Sequence, residues 1–460
     1  MKTQTSQTGS TAYVVVVCFV ATLGGLLFGY DTAVISGAIG FMVKHFSLTP
    51  AMEGWAAGSA LVGCILGAAI AGPISDRFGR RMMLILSAVF FLVSAIGTAV
   101  PRTLTEFIFY RALGGVGVGA AAMTGPMYIA ELSPARLRGT LVSWNQFAIV
   151  MGMLVVYFVN YFIAGRGDEQ WNITTGWRWM FGSEALPAAA FLALLFFVPE
   201  SPRWLAKQGR KEDARRILTK VDGPEHAERE LAEIENTLNL EGESFSELFQ
   251  PQWRPVLWIG VVLAVLQQIT GINVFLYFAP EILKTISGAK MDLALLQTVL
   301  VGAVNMIFTI IAIRKVDHWG RKPLMLAGYA GMAVALFALG GAALAGQIKA
   351  WILVAILGYI AAFALSVGPV TWVLLSEIYP TRHRGRAMAI ATFCLWTANY
   401  IISQTFPMMD KNEWLVAKFN HGFPFLLYGV FSVIAVMFVW RRVPETKGQS
   451  LEEIELHWRK

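Results

Sequence analysis

Apolar runs of about 20 residues recur along the chain, separated by short polar stretches, and a run of that length crosses a bilayer as a helix. The pattern predicts twelve spans, at 12–41, 54–75, 82–100, 105–130, 139–163, 177–198, 255–284, 292–315, 322–346, 350–379, 386–409 and 422–443. One polar stretch, 199–253, is far longer than the others and separates spans six and seven. Within it Ala214, Ile217, Leu218 and Val221 keep a helical spacing among Arg203, Lys207, Arg210, Lys211, Arg215, Arg216 and Lys220. It reads as short amphipathic helices at the membrane surface, with a flexible linker as the alternative. The organisation this predicts is an N-terminal six-helix bundle (1–198), an amphipathic-helix linker (199–254), a C-terminal six-helix bundle (255–443) and a tail (444–460).

Composition supports the all-α membrane reading. The chain is 56% hydrophobic and only 15% charged, against about a quarter charged in soluble domains. The first run is too long for the core of a signal peptide. The net charge of +7 does not point to nucleic acid, because the basic residues fall in the short loops between spans. One side of the predicted membrane receives 27 of the 37 Lys and Arg residues. By the bias of basic loops toward the cytoplasm, that side is cytoplasmic and so are both termini. Cys18, Cys64 and Cys394 all lie inside apolar runs and read as small buried hydrophobes, with no disulfide or metal site implied.

Three short motifs occur twice. Asp76-Arg77-Phe78-Gly79-Arg80-Arg81 follows span two, and Asp317-His318-Trp319-Gly320-Arg321-Lys322 follows span eight. Glu131 with Arg138-Gly139 follows span four, and Glu377 with Arg384-Gly385 follows span ten. Pro199-Glu200-Ser201-Pro202-Arg203 follows span six, and Pro444-Glu445-Thr446-Lys447-Gly448 follows span twelve. The copies are offset by 241, 246 and 245 residues. A nearly constant offset means two repeated halves, and such halves place a substrate site at their interface near the midplane.

Gln267-Gln268-Ile269-Thr270-Gly271-Ile272-Asn273 puts three amides inside the apolar run of span seven. On an ideal helix Asn273 turns away from both glutamines. Thr270-Gly271 supplies a place to unwind, and broken helices aim side chains at midplane sites in transporters. Uncharged amides offer donors and acceptors together, which suits a neutral, hydroxyl-rich ligand such as a sugar. The competing reading is polar glue between helices.

On these motifs the chain resembles the major facilitator superfamily and, within it, the sugar porter family. The stretch Gly29-Tyr30-Asp31-Thr32-Ala33-Val34-Ile35-Ser36-Gly37, with Asn145-Gln146-Phe147 and Val159-Asn160-Tyr161-Phe162, is most similar to bacterial xylose–proton symporters. The resemblance implies the major facilitator fold of twelve transmembrane helices in two six-helix bundles. It implies a sugar site formed by Gln146, Gln267, Gln268, Asn273, Asn305 and Trp372, where the indole offers a flat face to a sugar ring. Gly368-Pro369 ahead of Trp372 is placed to kink span ten. It further implies that Asp76, Arg80, Glu131, Arg138 and Glu200, with Asp317, Arg321, Glu377, Arg384 and Glu445, latch the cytoplasmic side shut in the outward-open state. Where xylose-type relatives carry Gln, this chain has Met153 and Leu395, so a hexose stands beside xylose as candidate substrate.

Asp31, Arg111 and Glu184 are the charges buried within the spans that need explaining. At about 1.5 Å per residue, Arg111 and Glu184 lie on the order of 10 Å below the outer face, and Asp31 comes within reach if span one bends near Gly37 or Gly40. Intramembrane acids commonly mark proton relays, and a structural ion pair is the alternative. The resemblance favours coupling, because symporters of the family carry an acid at the Asp31 position. The resulting expectation is a monomeric, multi-pass symporter of a bacterial inner membrane, moving a monosaccharide with a proton. It needs no cofactor or metal and performs no enzyme chemistry. The alternatives are a passive facilitator and a non-transporting sugar receptor.

Overall fold

The computed structural model describes residues 10–238, 248–287, 290–346, 351–379 and 384–448. The end of the predicted tail and residues 239–247 of the predicted linker lie outside them. Among the described residues every regular element is a helix. Ten helices are long and apolar enough to cross a bilayer. Two further crossings complete the predicted set. Span six is split into Trp177–Gly182 and Ala185–Leu195, tightened at Ser183-Glu184, where the Glu184 N–H bonds three residues back to Phe181. Span eleven, Arg384–Asp410, carries Asn399, Ser403 and Gln404 on one run, which lowers its apolarity.

The first span begins where the Ser10 hydroxyl accepts the Tyr13 N–H and runs unbroken from Thr11 to Phe46. No break interrupts it at Gly37 or Gly40. Those glycines serve close contact instead: Gly37 lies under Asn160 and Gly40 under Glu281. Spans two and four approach even more tightly. A Cβ at Gly63 would stand 1.9 Å from the Ala112 carbonyl oxygen, and one at Gly115 1.9 Å from that of Ala60. In hydrocarbon there is no hydrophobic drive between helices, so small residues that let backbones touch supply the attraction.

Helices Pro202–Lys207, Lys211–Asp222 and Pro224–Leu238 pack around a separate small core of Leu205, Ala206, Ala214, Leu218, Ala227 and Leu231. They dock on the first half through Trp204, whose indole N–H donates to the Asp76 carbonyl, and through Ser10, whose N–H donates to the Lys220 carbonyl.

The two halves meet toward the face opposite the repeated motifs. There Gly54 of span two lies on the Gln404 backbone of span eleven, Gln404 donates to the Ala51 carbonyl at 2.9 Å, and the Trp55 and Tyr400 rings meet edge-on. Glu53 and Lys411 form an ion pair across the same seam. Deeper in, the Tyr157 hydroxyl of span five donates to the Leu276 carbonyl of span seven at 2.9 Å. The structure is therefore closed on that face.

Glu53 is only 3% exposed on its side chain, and removing one partner of a buried pair costs on the order of 3–5 kcal/mol while the other stays buried. Opening the face escapes that cost. Lys411→Met should shift the population toward molecules open there, read as faster maleimide labelling of a cysteine at Gly58 in an otherwise cysteine-free background. Labelling no faster than with Lys411 present would show that the pair does not hold the face closed.

Candidate functional site

Span seven is two helices, Arg254–Ile269 and Ile272–Tyr277, separated by Gly271 at φ 89°. The break changes which side chains meet. On an unbroken helix Asn273 would point about 140° away from Gln268. Here the Asn273 amide donates to the Gln268 oxygen at 2.5 Å, so the two that an ideal helix separates are joined. Gln268 donates in turn to the Gln267 oxygen at 3.2 Å. Gln267 donates to the carbonyls of Val367 and Gly368 in span ten, at 3.2 and 3.1 Å.

Both carbonyls lie where a π-turn of span ten, Phe363–Val367, passes into the Gly368–Ile378 helix. The distortion sits where Gly368-Pro369 predicted a kink. The result is one continuous chain of amides from span ten through the break of span seven, ending at partly buried Asn273. A hydroxyl-rich ligand can enter such a chain by replacing amide–amide bonds with amide–hydroxyl bonds.

The other candidate residues stand on neighbouring spans. Asn305 of span eight, 6% exposed, lies against the Met153 sulfur of span five at 4.0 Å. Gln146, one heptad before Met153, is partly buried, as is Trp372. Among the described residues no hydrogen bond joins Gln146 or Trp372 to the amide chain. Leu395 is buried beside Trp396, whose indole N–H is buried without a partner and whose ring lies 5.6 Å from that of Phe28. Trp396 and Phe28 escaped the sequence reading because an aromatic in a membrane run carries no mark of its role; the unpaired N–H appears only in three dimensions.

Asp31, Arg111 and Glu184 do converge, each 1% exposed. Arg111 donates to Asp31 at 2.7 Å, and Glu184 lies against Asp31. One Asp31 oxygen, one Glu184 oxygen and the Arg111 Nε have no partner. The guanidinium also stands over the Phe181 ring, and Tyr30 bonds Ser183 at 2.8 Å, tying span one to the tightened turn that carries Glu184. Two carboxyls thus face one guanidinium in a sealed pocket.

At the motif face the two copies share most of their hydrogen bonds. Arg80 bonds Glu131 at 3.0 Å and Asp76 at 2.9 Å, while Glu200 accepts the N–H groups of Arg80 and Arg81. Arg321 bonds Glu377 at 2.8 Å, while Glu445 accepts the N–H groups of Arg321 and Lys322. Ser201 and Thr446 occupy the same place, donating to Glu131 and Glu377. Burial pushes the Glu200 carboxyl up, and the backbone N–H groups of Ser201, Arg81 and Arg80 pull it back. Each of these networks closes within its own half in this conformation. Arg138 instead reaches Glu230 of the surface helices at 3.4 Å. The side chains of Asp317 and Arg384 lie outside the described residues.

A family model for sugar (and other) transporters matches residues 17–458. The chain is 49% identical to the D-xylose-proton symporter of Escherichia coli (strain K12), covering 98% of this chain and 96% of that protein. It is 42% identical to the arabinose-proton symporter of Bacillus subtilis (strain 168), again over 98% and 96%. Among solved structures it is similar to the xylose transporter XylE from E. coli in a partially occluded inward open conformation. That match has a TM-score of 0.86 at 46% identity and covers 96% of this chain and all of that one.

Arg111 is the only cation in the buried trio, so Arg111→Leu should lower the melting temperature sharply in detergent, by the equivalent of about 3–5 kcal/mol. Adding Asp31→Leu should recover part of the loss, since it removes one of the two carboxyls left without a cation, with Glu184 remaining. A double variant no more stable than Arg111→Leu would mean that the two groups are not energetically coupled.

Proposed function

The chain belongs to the sugar transporter family, and on that premise we propose that it carries a monosaccharide across a bacterial membrane together with a proton, by alternating access between its two halves. The observation that carries this reading is the amide chain at the break of span seven, together with a sealed acid–arginine trio in the first half. One offers neutral hydrogen bonding at the seam, the other a place for a transferable proton. Two of the relatives it resembles are named for symport of a pentose with a proton.

In this reading Gln146, Gln267, Gln268, Asn273, Asn305 and Trp372 bind the sugar. Met153 and Leu395 form an apolar part of the wall, which discriminates weakly between hydroxyl patterns. The substrate is then xylose or a hexose such as glucose or galactose. The protein lies in the inner membrane as a monomer, with the motif face and both termini cytoplasmic. Two helix bundles, 1–198 and 255–443, rock about the site, and the segment between them lies on the cytoplasmic surface. The paired networks around Arg80 and Arg321 lock each half as a body and, by meeting across the seam in the other state, latch the cytoplasmic side.

The proton enters at Asp31. With two carboxyls facing one guanidinium, protonation of Asp31 leaves Arg111 to pair with Glu184, so no step buries the cation alone. Loss of the Asp31–Arg111 bond loosens span one against span four, and that change favours sugar binding and closure on the outer side. Charge entry through 100 mV supplies about 2.3 kcal/mol, enough for roughly fifty-fold accumulation.

Purified protein in liposomes, offered xylose, arabinose, glucose and galactose with and without an imposed proton gradient, tests the reading. Gradient-driven accumulation of one sugar is expected; equilibration without accumulation would establish a passive facilitator instead. Gln268→Ala breaks the amide chain and should weaken sugar binding by about 1–3 kcal/mol with the fold intact. Calorimetry giving the same affinity as Gln268 would remove this residue from the site. Asp31→Asn keeps size and polarity but takes up no proton. It should abolish accumulation and sugar-induced alkalinisation while preserving exchange of labelled for unlabelled sugar. Full accumulation by this variant would rule out Asp31 as the coupling site.

A further inference from the structure

A break in a membrane helix leaves backbone groups that hydrocarbon cannot satisfy. In span seven the arithmetic is specific. In an unbroken helix the Val274 N–H would bond the Thr270 carbonyl, four residues back. Here the Val274 N–H bonds Gly271 at 3.1 Å instead. The Thr270 carbonyl is released, and Thr270 is completely buried.

Its partner comes from span ten. The Tyr359 hydroxyl, also completely buried, donates to the Thr270 carbonyl at 2.9 Å. The tyrosine ring is fixed against Phe275, 4.6 Å between centroids, just past the break. The Tyr428 ring closes the other side: a Cβ at Gly271 would stand 2.5 Å from it. Span ten therefore grips span seven twice. Gln267 reaches it ahead of the break, at Val367 and Gly368, and Tyr359 reaches back to it at the break itself.

We infer that Tyr359 is a positioning residue for the sugar site: its hydroxyl occupies the carbonyl set free by the break, keeps the break open, and so holds Asn273 against Gln268. The inference rests on the proposed role of the amide chain. Without the hydroxyl, the donor that a regular helix offers the Thr270 carbonyl is the Val274 N–H. Taking it up rebuilds the continuous helix and turns Asn273 away from Gln268, because residues five apart on such a helix diverge by about 140°. The sugar then loses one end of the chain, although among the described residues no hydrogen bond joins Tyr359 to any of the three amides.

Tyr359→Phe keeps the ring and its packing and deletes only the donor. The test is a double-mutant cycle in the full-length protein, with D-xylose and D-glucose as calorimetric probes and the melting temperature recorded in parallel. Tyr359→Phe should weaken binding about tenfold on its own, the loss that follows from an unmet buried hydrogen bond. In an Asn273→Ala background the same change should weaken binding less than twofold, because there is no longer an Asn273 to misplace. A purely structural role would lower the melting temperature alike in both backgrounds and leave affinity alone, and that result overturns the inference. So does an equal loss of affinity in both backgrounds. If Asn273→Ala by itself leaves the affinity for both sugars unchanged, the amide-chain reading fails and this inference with it. A large effect of Asn273→Ala with none from Tyr359→Phe removes Tyr359 alone.

Discussion

Everything in this molecule depends on one constraint: a backbone amide or carbonyl in hydrocarbon must find its partner inside the protein. Unbroken helices meet it without help, and most of the chain is built that way. Departures occur where side chains take over the missing partners. The Tyr359 hydroxyl serves the Thr270 carbonyl at the break of span seven, and Gln267 adds bonds to the carbonyls of Val367 and Gly368 in span ten. The break of span seven is therefore held on both sides by span ten.

The second theme is duplication with divergence. The motif faces of the two halves agree down to the small hydroxyl residue, Ser201 in one and Thr446 in the other. The interiors do not agree. The first half holds the buried trio of Asp31, Arg111 and Glu184, and the second holds the amide chain. A common frame thus carries a buried charged cluster in one half and an uncharged amide chain in the other. In the proposed reading, coupling between them has to pass through the seam where spans one, two and five meet seven, eleven and eight.

Much of this was legible in the chain. Span positions follow from hydropathy, and the repeat follows from constant offsets of short charged motifs, because both signals are local. The convergence of Asp31, Arg111 and Glu184 was legible too, since charges inside apolar runs need one another. What stayed hidden depends on the third dimension. Glu53 in the first turn of its helix reads as an ordinary complement to the helix dipole, and nothing local ties it to Lys411 more than 350 positions away. The bond between Asn273 and Gln268 exists only because Gly271 takes a left-handed conformation. Tyr359 sits in an apolar run where a tyrosine carries no sign of what its hydroxyl reaches. How close Asp31 comes to Arg111 depended on how span one runs, which no local signal gives; in the fold the Arg111 guanidinium reaches it directly.

The ion pair across the seam also makes the two directions of movement unequal. Steric contacts such as Gly54 on Gln404 act only once the halves touch. Opposite charges on Glu53 and Lys411 attract across several ångströms of water, out to a screening length of about 8 Å at physiological ionic strength. An open face is therefore drawn together before its surfaces meet, whereas a closed one must first let water back to a carboxylate sealed in the seam. Closing is guided and opening is activated, and dissolved salt becomes a control on the first more than on the second.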